Sequence, residues 1–409
     1  MSEVSDGRRK SRASGEGSLL FNEADGRWHG WVDMGIGVGG KRDRRHVAAP
    51  NQADVVKKMR ALATKRDAGL VPSADRSPTL AEWLAYYLNN IAARRVRPST
   101  LASYRWIVDK RVVPLLGHHR LDRLQPEHIE ALYTALLEDG LSPSSVLHVH
   151  RVLSRALKIA WQRGRVARNV CQFVDAPSVS KVEIEPLSQA EARALLETSK
   201  GHRNAARWSV ALALGLRQGE ALGLGWGDVD LGQASIRVRR ALQRQIAQHG
   251  CGGTCGRKRA GDCPKRVGGG LVLVQPKSAA GRRTVALPPQ LVEALTTRRA
   301  EQNDERERAA SDWVETGLVF THENGAAIDP KLDYLAWKAL LTEAGVRDAR
   351  LHDARHTAAT VMLTMGVPAR VVMQILGHSQ ISLTLGTYSH VAPELSTEAA
   401  ARVGRALWE

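Results

Sequence analysis

Cysteine, long apolar runs and acidic side chains are all in short supply in this chain. Four cysteines in 409 residues do not describe a secreted disulfide scaffold; in a reducing compartment they would stay thiols or serve as metal ligands. No apolar run approaches the length of a membrane span. The start, Met1-Ser2-Glu3-Val4-Ser5-Asp6-Gly7-Arg8-Arg9-Lys10, lacks the apolar core of a signal peptide, so the expected location is the cytoplasm. Asp and Glu number 42 against 59 Lys and Arg, a formal net charge of +17. With ordinary apolar content, that excess suggests a globular protein with a polyanionic partner, nucleic acid rather than a membrane. The length allows two or three domains, each with its own core.

Residues 1–18 are polar, basic and Gly/Ser-rich, the composition of a disordered arm. Leu19–Phe21 and Trp28–Val32 read as strands joined by the turn Glu23-Ala24-Asp25-Gly26, with Arg45–Val47 a third and a helix over Gln52–Asp67. This sheet-plus-helix module, residues 19–70, reads as an accessory DNA-binding domain; a capping subdomain with an ordinary charged surface has the same pattern. After a Gly/Pro linker, helices are expected at Leu80–Ala92, Pro98–Val112, Pro126–Glu138 and Pro143–Gly164, a four-helix domain within residues 79–175. Thr100 and Tyr104 can share a face of the second helix. On the fourth, His148, Arg151 and Arg155 recur at helical spacing beside an apolar face of Val149, Leu153, Ala156 and Ile159. That basic stripe could track phosphates, and a solvated helix face would look the same. A second linker, Ala176–Pro186, precedes the capping box Ser188-Gln189-Ala190-Glu191, which opens a third domain over residues 186–409.

The densest chemistry lies near the C-terminus, in Leu351-His352-Asp353-Ala354-Arg355-His356-Thr357, Leu376-Gly377-His378-Ser379 and Gly386-Thr387-Tyr388-Ser389-His390. Attack on a phosphodiester piles negative charge on non-bridging oxygens, so a site without metal needs fixed cationic and N–H donors. His352, Arg355 and His378 can supply them. A phenol is a poor nucleophile near its free pKa of about 10, and surrounding cations stabilise the developing phenolate, which makes Tyr388 the candidate nucleophile. Upstream, Leu214-Gly215-Leu216-Arg217-Gln218-Gly219-Glu220 places Arg217 in a Gly-bounded turn between two helices, with Glu220 near enough to orient it. Leu271–Val274 and Thr284–Leu287 read as the arms of a hairpin with Lys277 on its turn, where an ammonium could protonate a leaving oxygen; most lysines in such turns are merely solvated. The competing reading of the C-terminal stretch is a helix-turn-helix: a helix over 353–365 stopped by Gly366, a second opened by Pro368 and ending near Gly377. His352 and Arg355 would then be surface neighbours at i, i+3 and Tyr388 a packing residue.

Taken in order, Arg217, Lys277, His352, Arg355, His378 and Tyr388 resemble the active-site set of the tyrosine recombinase family, and within it the integrases of phages and integrative elements. The middle helical domain, with Pro98-Ser99-Thr100 and Tyr104, resembles the family's core-binding domain, and the N-terminal module its arm-binding domain. The resemblance implies a mainly α fold with small β parts, ending in a mixed α+β catalytic domain. It implies a site-specific recombinase in which Tyr388 forms a 3′-phosphotyrosine and frees a 5′-hydroxyl. Arg217 and Arg355 would clamp non-bridging oxygens, Lys277 protonate the 5′-oxygen, His378 donate to a phosphate oxygen and His352 serve as acid/base or positioning donor. No metal, ATP or other cofactor is implied. The implied partners are double-stranded attachment sites bound by a homotetramer, with room for an excision factor and a host DNA-bending protein. A type IB topoisomerase-like enzyme and a non-catalytic helix-turn-helix regulator are the competing functions.

One segment departs from the family. A basic, Gly-rich insertion between the strand at Ala234 and Lys277 carries His249, Cys251, Cys255 and Cys263. Three thiolates and an imidazole could bind zinc, although the spacing is looser than paired Cys-x-x-Cys. The alternative is a flexible loop over the DNA.

Overall fold

The computed structural model describes residues 18–36, 42–67, 77–179, 185–276 and 279–377, together with Arg405. The chain divides into two units, Met1–Lys181 and Val182–Glu409. The fold is mainly α with small sheets, as the sequence implies. Of the arm assigned to residues 1–18, only Ser18 is among the described residues, and of residues 378–409 only Arg405 is.

The first unit opens with an antiparallel sheet of β1 (Ser18–Asn22), β2 (Arg27–Ile36) and β3 (Arg42–Ala49). Strand alternation turns Val32 and Ala49 onto Val55 and Met59 of α1 (Gln52–Asp67), which forms a small separate core. The helical part begins at Thr79, whose side chain and Glu82 close a capping box on α2 (Leu80–Tyr86). Helix α2 does not run unbroken to Ala92: it passes through a π turn at Tyr87–Ile91 and a 3-10 turn at Ala92–Arg94. Helix α3 (Pro98–Ile107) likewise widens into a π turn, Val108–Val112, before α4 (Val113–Leu116). The cause in α3 is Pro114, which lacks the N–H an α ladder would use and crowds the carbonyl one turn back. With α5 (Pro126–Glu138) and α6 (Pro143–Gln162) these form four helical rods around one core. Val149, Leu153, Ala156 and Ile159 are all buried in it, and Trp83 donates from Nε1 to the Ala156 carbonyl at 3.1 Å.

The second unit runs α7 (Gln189–Ser199), α8 (Ala206–Leu214), α9 (Gln218–Leu222), β4 (Val229–Asp230), β5 (Ser235–Val238), β6 (Ala241–Gln245), β7 (Gln248–His249), β8 (Arg266–Val267), β9 (Gly270–Val274), β10 (Arg283–Ala286), α10 (Pro289–Ala309), α11 (Pro330–Glu343), α12 (Leu351–Thr364) and α13 (Ala369–Leu376). The strands on either side of Lys277 are not partners in a hairpin. Strand β9 pairs with β6 and β10 with β5, both antiparallel. Strands β5 and β6 are thus successive parts of one arm, and β9 and β10 successive parts of the returning arm. Arg239 and Arg240 separate the paired segments on the outgoing arm, while residues 275–282 do so on the return. Two segments that run the same way along one partner cannot pair with each other as a hairpin.

The helices of this unit are locked by buried charge. Arg207 of α8 donates to Asp333 of α11 from Nε at 3.0 Å and Nη2 at 2.9 Å, with the side chains 2% and 3% exposed. Gln218, at the start of α9, donates to the same carboxylate at 2.9 Å and to the Pro330 carbonyl at 2.7 Å, tying the turn that carries Arg217 to α11. Arg203 and Arg298 both hold Glu305. Among the described residues no helix is long and apolar enough to cross a membrane. Removing one member of a buried pair strands the other charge, at a cost of about 3–5 kcal/mol. Asp333→Ala is therefore expected to lower the unfolding free energy by about that amount in urea titrations, and a loss under about 1 kcal/mol would show that the pair does not hold α8 to α11.

Candidate active site

Helix α8 ends at Gly215, which adopts φ +60. A Cβ there would lie 2.6 Å from Leu376 Cδ2 and 3.2 Å from Ala358 Cβ, so both the backbone and the space demand glycine. The reversal lets Arg217 serve as N-cap of α9 with Glu220 three residues on. Glu220 Oε2 accepts from the Arg217 backbone N–H at 3.1 Å, and Oε1 accepts from Arg217 Nη1 at 2.7 Å. Glu220 also takes a bond from Arg283 Nη2 at 3.1 Å. Burial by itself would push its carboxyl up, but Arg283 and then Arg217 outweigh that, and the pKa is lowered.

The C-terminus of α13 meets three guanidinium groups on consecutive carbonyls. Arg283 Nε donates to Ile375 at 2.5 Å, Arg355 Nη2 to Leu376 at 2.6 Å and Arg217 Nη2 to Gly377 at 3.2 Å. Arg355 Nη1 also donates to the Gly215 carbonyl at 2.7 Å. These carbonyls have no partners within the helix and carry the negative end of its dipole, so cations are the natural complement. The three differ in access. Arg355 is 3% exposed and the Arg283 side chain 7%, while that of Arg217 is 41% exposed. Arg355 is thus not the surface neighbour of His352 that a helix-turn-helix reading would make it.

His352 lies one turn before Arg355 on α12, whose first turn is capped by Asp353. It is an exposed residue, yet the surrounding protein desolvates the imidazole, and this, followed by the charges of Arg355 and Arg217, lowers its pKa. His356 stands edge-on to it, ring centroids 5.1 Å apart at 90°. Desolvation first and His352 second push His356 down to about 4. The shift favours the neutral imidazole, the state in which a ring nitrogen can accept a proton.

The structure therefore brings Arg217, His352 and Arg355 together; Lys277, His378 and Tyr388 lie outside the described residues. Arg283 is the site residue that sequence reasoning passed over. It follows Arg282 in a basic loop, and only the pairing of β10 with β5 distinguishes the two. In the first unit, His148, Arg151 and Arg155 are exposed on α6, while Thr100 and Tyr104 are half-buried on α3. Tyr104 and His148 are in contact edge to face, centroids 6.2 Å apart, so the two candidate sets form one surface. In the insertion, the ligand atoms of His249, Cys251, Cys255 and Cys263 all lie within 4.8 Å of one another. Hydrogen bonds from the Cys255 thiol and then its backbone N–H push the Cys251 thiol down to about 5.

A histidine whose folded pKa lies below its unfolded value favours folding fully only above the unfolded pKa, near 6.5, and loses that contribution as the pH falls towards the folded value. The His356 contribution should therefore fade between about pH 6.5 and 4. Between pH 7.5 and 5, the loss of stability in chemical denaturation should be smaller in His356→Gln than in the parent by about 1 kcal/mol after solvent screening. Equal losses would mean that His356 is not held neutral.

Residues 266–394 match the model of the phage integrase family, and residues 79–137 that of the phage integrase N-terminal SAM-like domain. An integrase of Saccharopolyspora erythraea is 40% identical over 433 aligned residues, covering 98% of this chain and 99% of the relative. A XerC-like tyrosine recombinase of Caldanaerobacter subterraneus is 30% identical, covering 78% of this chain and 81% of the relative. Among solved structures, the Tn1549 transposon integrase in complex with transposon right end DNA shares the fold, with TM-score 0.62 at 20% identity over 81% of this chain and 100% of that one. With 40% identity to an integrase over nearly the full length of both chains and the arginine cluster in place, the chain belongs to the phage integrase family of tyrosine recombinases, enzymes that break and rejoin DNA.

Proposed function

We propose that this chain is a site-specific integrase that cuts and rejoins duplex DNA through a 3′-phosphotyrosine, inserting and excising a phage or other mobile element. The observation that carries the reading is the cluster of Arg217, Arg283 and Arg355 on the last carbonyls of α13, with His352 beside it, its pKa lowered. Tyr388 attacks the scissile phosphorus as its proton passes to a base, for which the neutral His352 imidazole is suited. The P–O5′ bond breaks and its electron pair leaves on the 5′-oxygen, which takes a proton from Lys277. Arg217 has the open guanidinium and donates to the non-bridging oxygens; His378, next in sequence after Gly377, adds a further donor. Arg355, buried beneath, adds its charge across a low-dielectric path while fixing Gly215 and Leu376. A partner strand's 5′-hydroxyl reverses the step, and the phosphotyrosine conserves the bond energy, so neither ATP nor metal enters the reaction.

In this reading residues 19–70 bind arm-type DNA, 79–175 the core site and 186–409 carry catalysis. The surface of Thr100, Tyr104, His148, Arg151 and Arg155 tracks phosphates. A homotetramer in the cytoplasm pairs two attachment sites, with an excision factor and a host DNA-bending protein setting direction and geometry. The test is incubation with a nicked suicide duplex carrying the element's own junction. The parent protein is expected to form a covalent adduct that survives denaturing electrophoresis, and Tyr388→Phe none. Arg217→Lys, which keeps the charge but loses the planar fork, should slow adduct formation by about 100-fold or more. An adduct with Tyr388→Phe would move the nucleophile elsewhere. Supercoil relaxation without site pairing would favour a topoisomerase, and tight binding with no adduct in the parent protein a regulator.

A further inference from the structure

The insertion at the far end of the two β arms is held together by something other than a hydrophobic core. Within residues 246–269, Cys263 is the only buried residue. Ile246 is 77% exposed and Val267 61%. The fold here consists of the two-residue ladder β7–β8, a bond from the Gly250 N–H to the Lys265 carbonyl at 2.9 Å and a 3-10 turn, Ala260–Asp262. That is far too little apolar burial to order so many residues.

Four side chains converge at its centre. His249 Nδ1 lies 3.4 Å from Cys255 Sγ and 3.9 Å from Cys251 Sγ, and Cys263 completes a set within 4.8 Å. With Zn–S near 2.3 Å and Zn–N near 2.05 Å, the edges of a zinc tetrahedron are about 3.6 Å between nitrogen and sulfur and about 3.8 Å between sulfurs. The two nitrogen–sulfur separations lie close to the first of these, and the sulfurs lie within 4.8 Å of one another. All four cysteines of the chain are free thiols. Between Cys251 and Cys255 the chain reverses tightly, with Gly252 and Gly253 at φ +64 and +90.

We propose that His249, Cys251, Cys255 and Cys263 bind one structural zinc ion, which takes the place of a hydrophobic core for the insertion. Three soft thiolates and an imidazole in a closed tetrahedron select zinc over hard oxygen-seeking cations. All four positions are filled by protein, so the site is structural and stands apart from the strand-transfer chemistry. Its effect is to fix the exposed cations Arg257, Lys258, Arg259, Lys265 and Arg266 in one arrangement at the end of the arms.

Full-length protein purified under reducing conditions without chelator should contain about one zinc per chain by elemental analysis. Cys255→Ser should lose it, while Cys171→Ser, which alters a buried thiol of the helical bundle, should retain it. Cobalt(II) added to metal-stripped protein should give the thiolate charge-transfer and tetrahedral d–d bands of a sulfur-rich site. Trypsin should cut at Arg257–Arg259 and Lys265 after stripping and spare these bonds when zinc is restored. Zinc below about 0.1 per chain together with no cobalt spectrum would overturn the proposal, as would a disulfide among the three insertion cysteines in the freshly purified protein. The zinc content and cobalt spectrum are read on the parent protein, so they decide the matter even if Cys255→Ser fails to fold.

Discussion

The end of one short helix organises the catalytic unit. Helix α13 leaves carbonyls at Ile375, Leu376 and Gly377 without partners of its own, and three guanidinium groups from α9, β10 and α12 converge on them. Elements far apart in sequence are thereby drawn to one point. Like charges so close would repel one another; carbonyl oxygens on one side and Glu220 on the other offset that repulsion. The result is a concentrated positive field whose arginines are already held in position before any phosphate arrives, which is the condition for electrostatic preorganisation.

Behind this cluster, buried ion pairs hold the helices together alongside the apolar core. Asp333 receives Arg207 and Gln218 together, so the turn that aims Arg217 is anchored by the same carboxylate that joins α8 to α11. The setting of the exposed Arg217 therefore depends on a contact buried behind it. Such pairs add little net stability over apolar replacements but enforce one arrangement, since any shift leaves a charge unpaired.

Much of this was legible in the sequence, and what was not has a common cause. The capping box at Ser188 marks a helix start with short-range hydrogen bonds and stands where the pattern puts it. The Arg217 turn is equally local: a glycine, an arginine and a glutamate three residues on. By contrast, the partners of β9 and β10 are set by contacts across a long insertion, and a hairpin drawn from adjacent strands is wrong for that reason. The burial of Arg355 was also hidden, because a helical pattern with an arginine in it reads as surface until the carbonyls it serves are known. Arg282 and Arg283 are indistinguishable as letters. The π turn after α3 depends on a proline's effect one turn away, which spacing alone does not register.

The register of the two β arms is set twice, once by β5 with β10 and again by β6 with β9. Whatever lies beyond Gln245 and Gly270 is attached to a ladder that is already specified. The tip is consequently a separable part: a change of length or charge there leaves intact the ladder that positions β10 and, with it, Arg283.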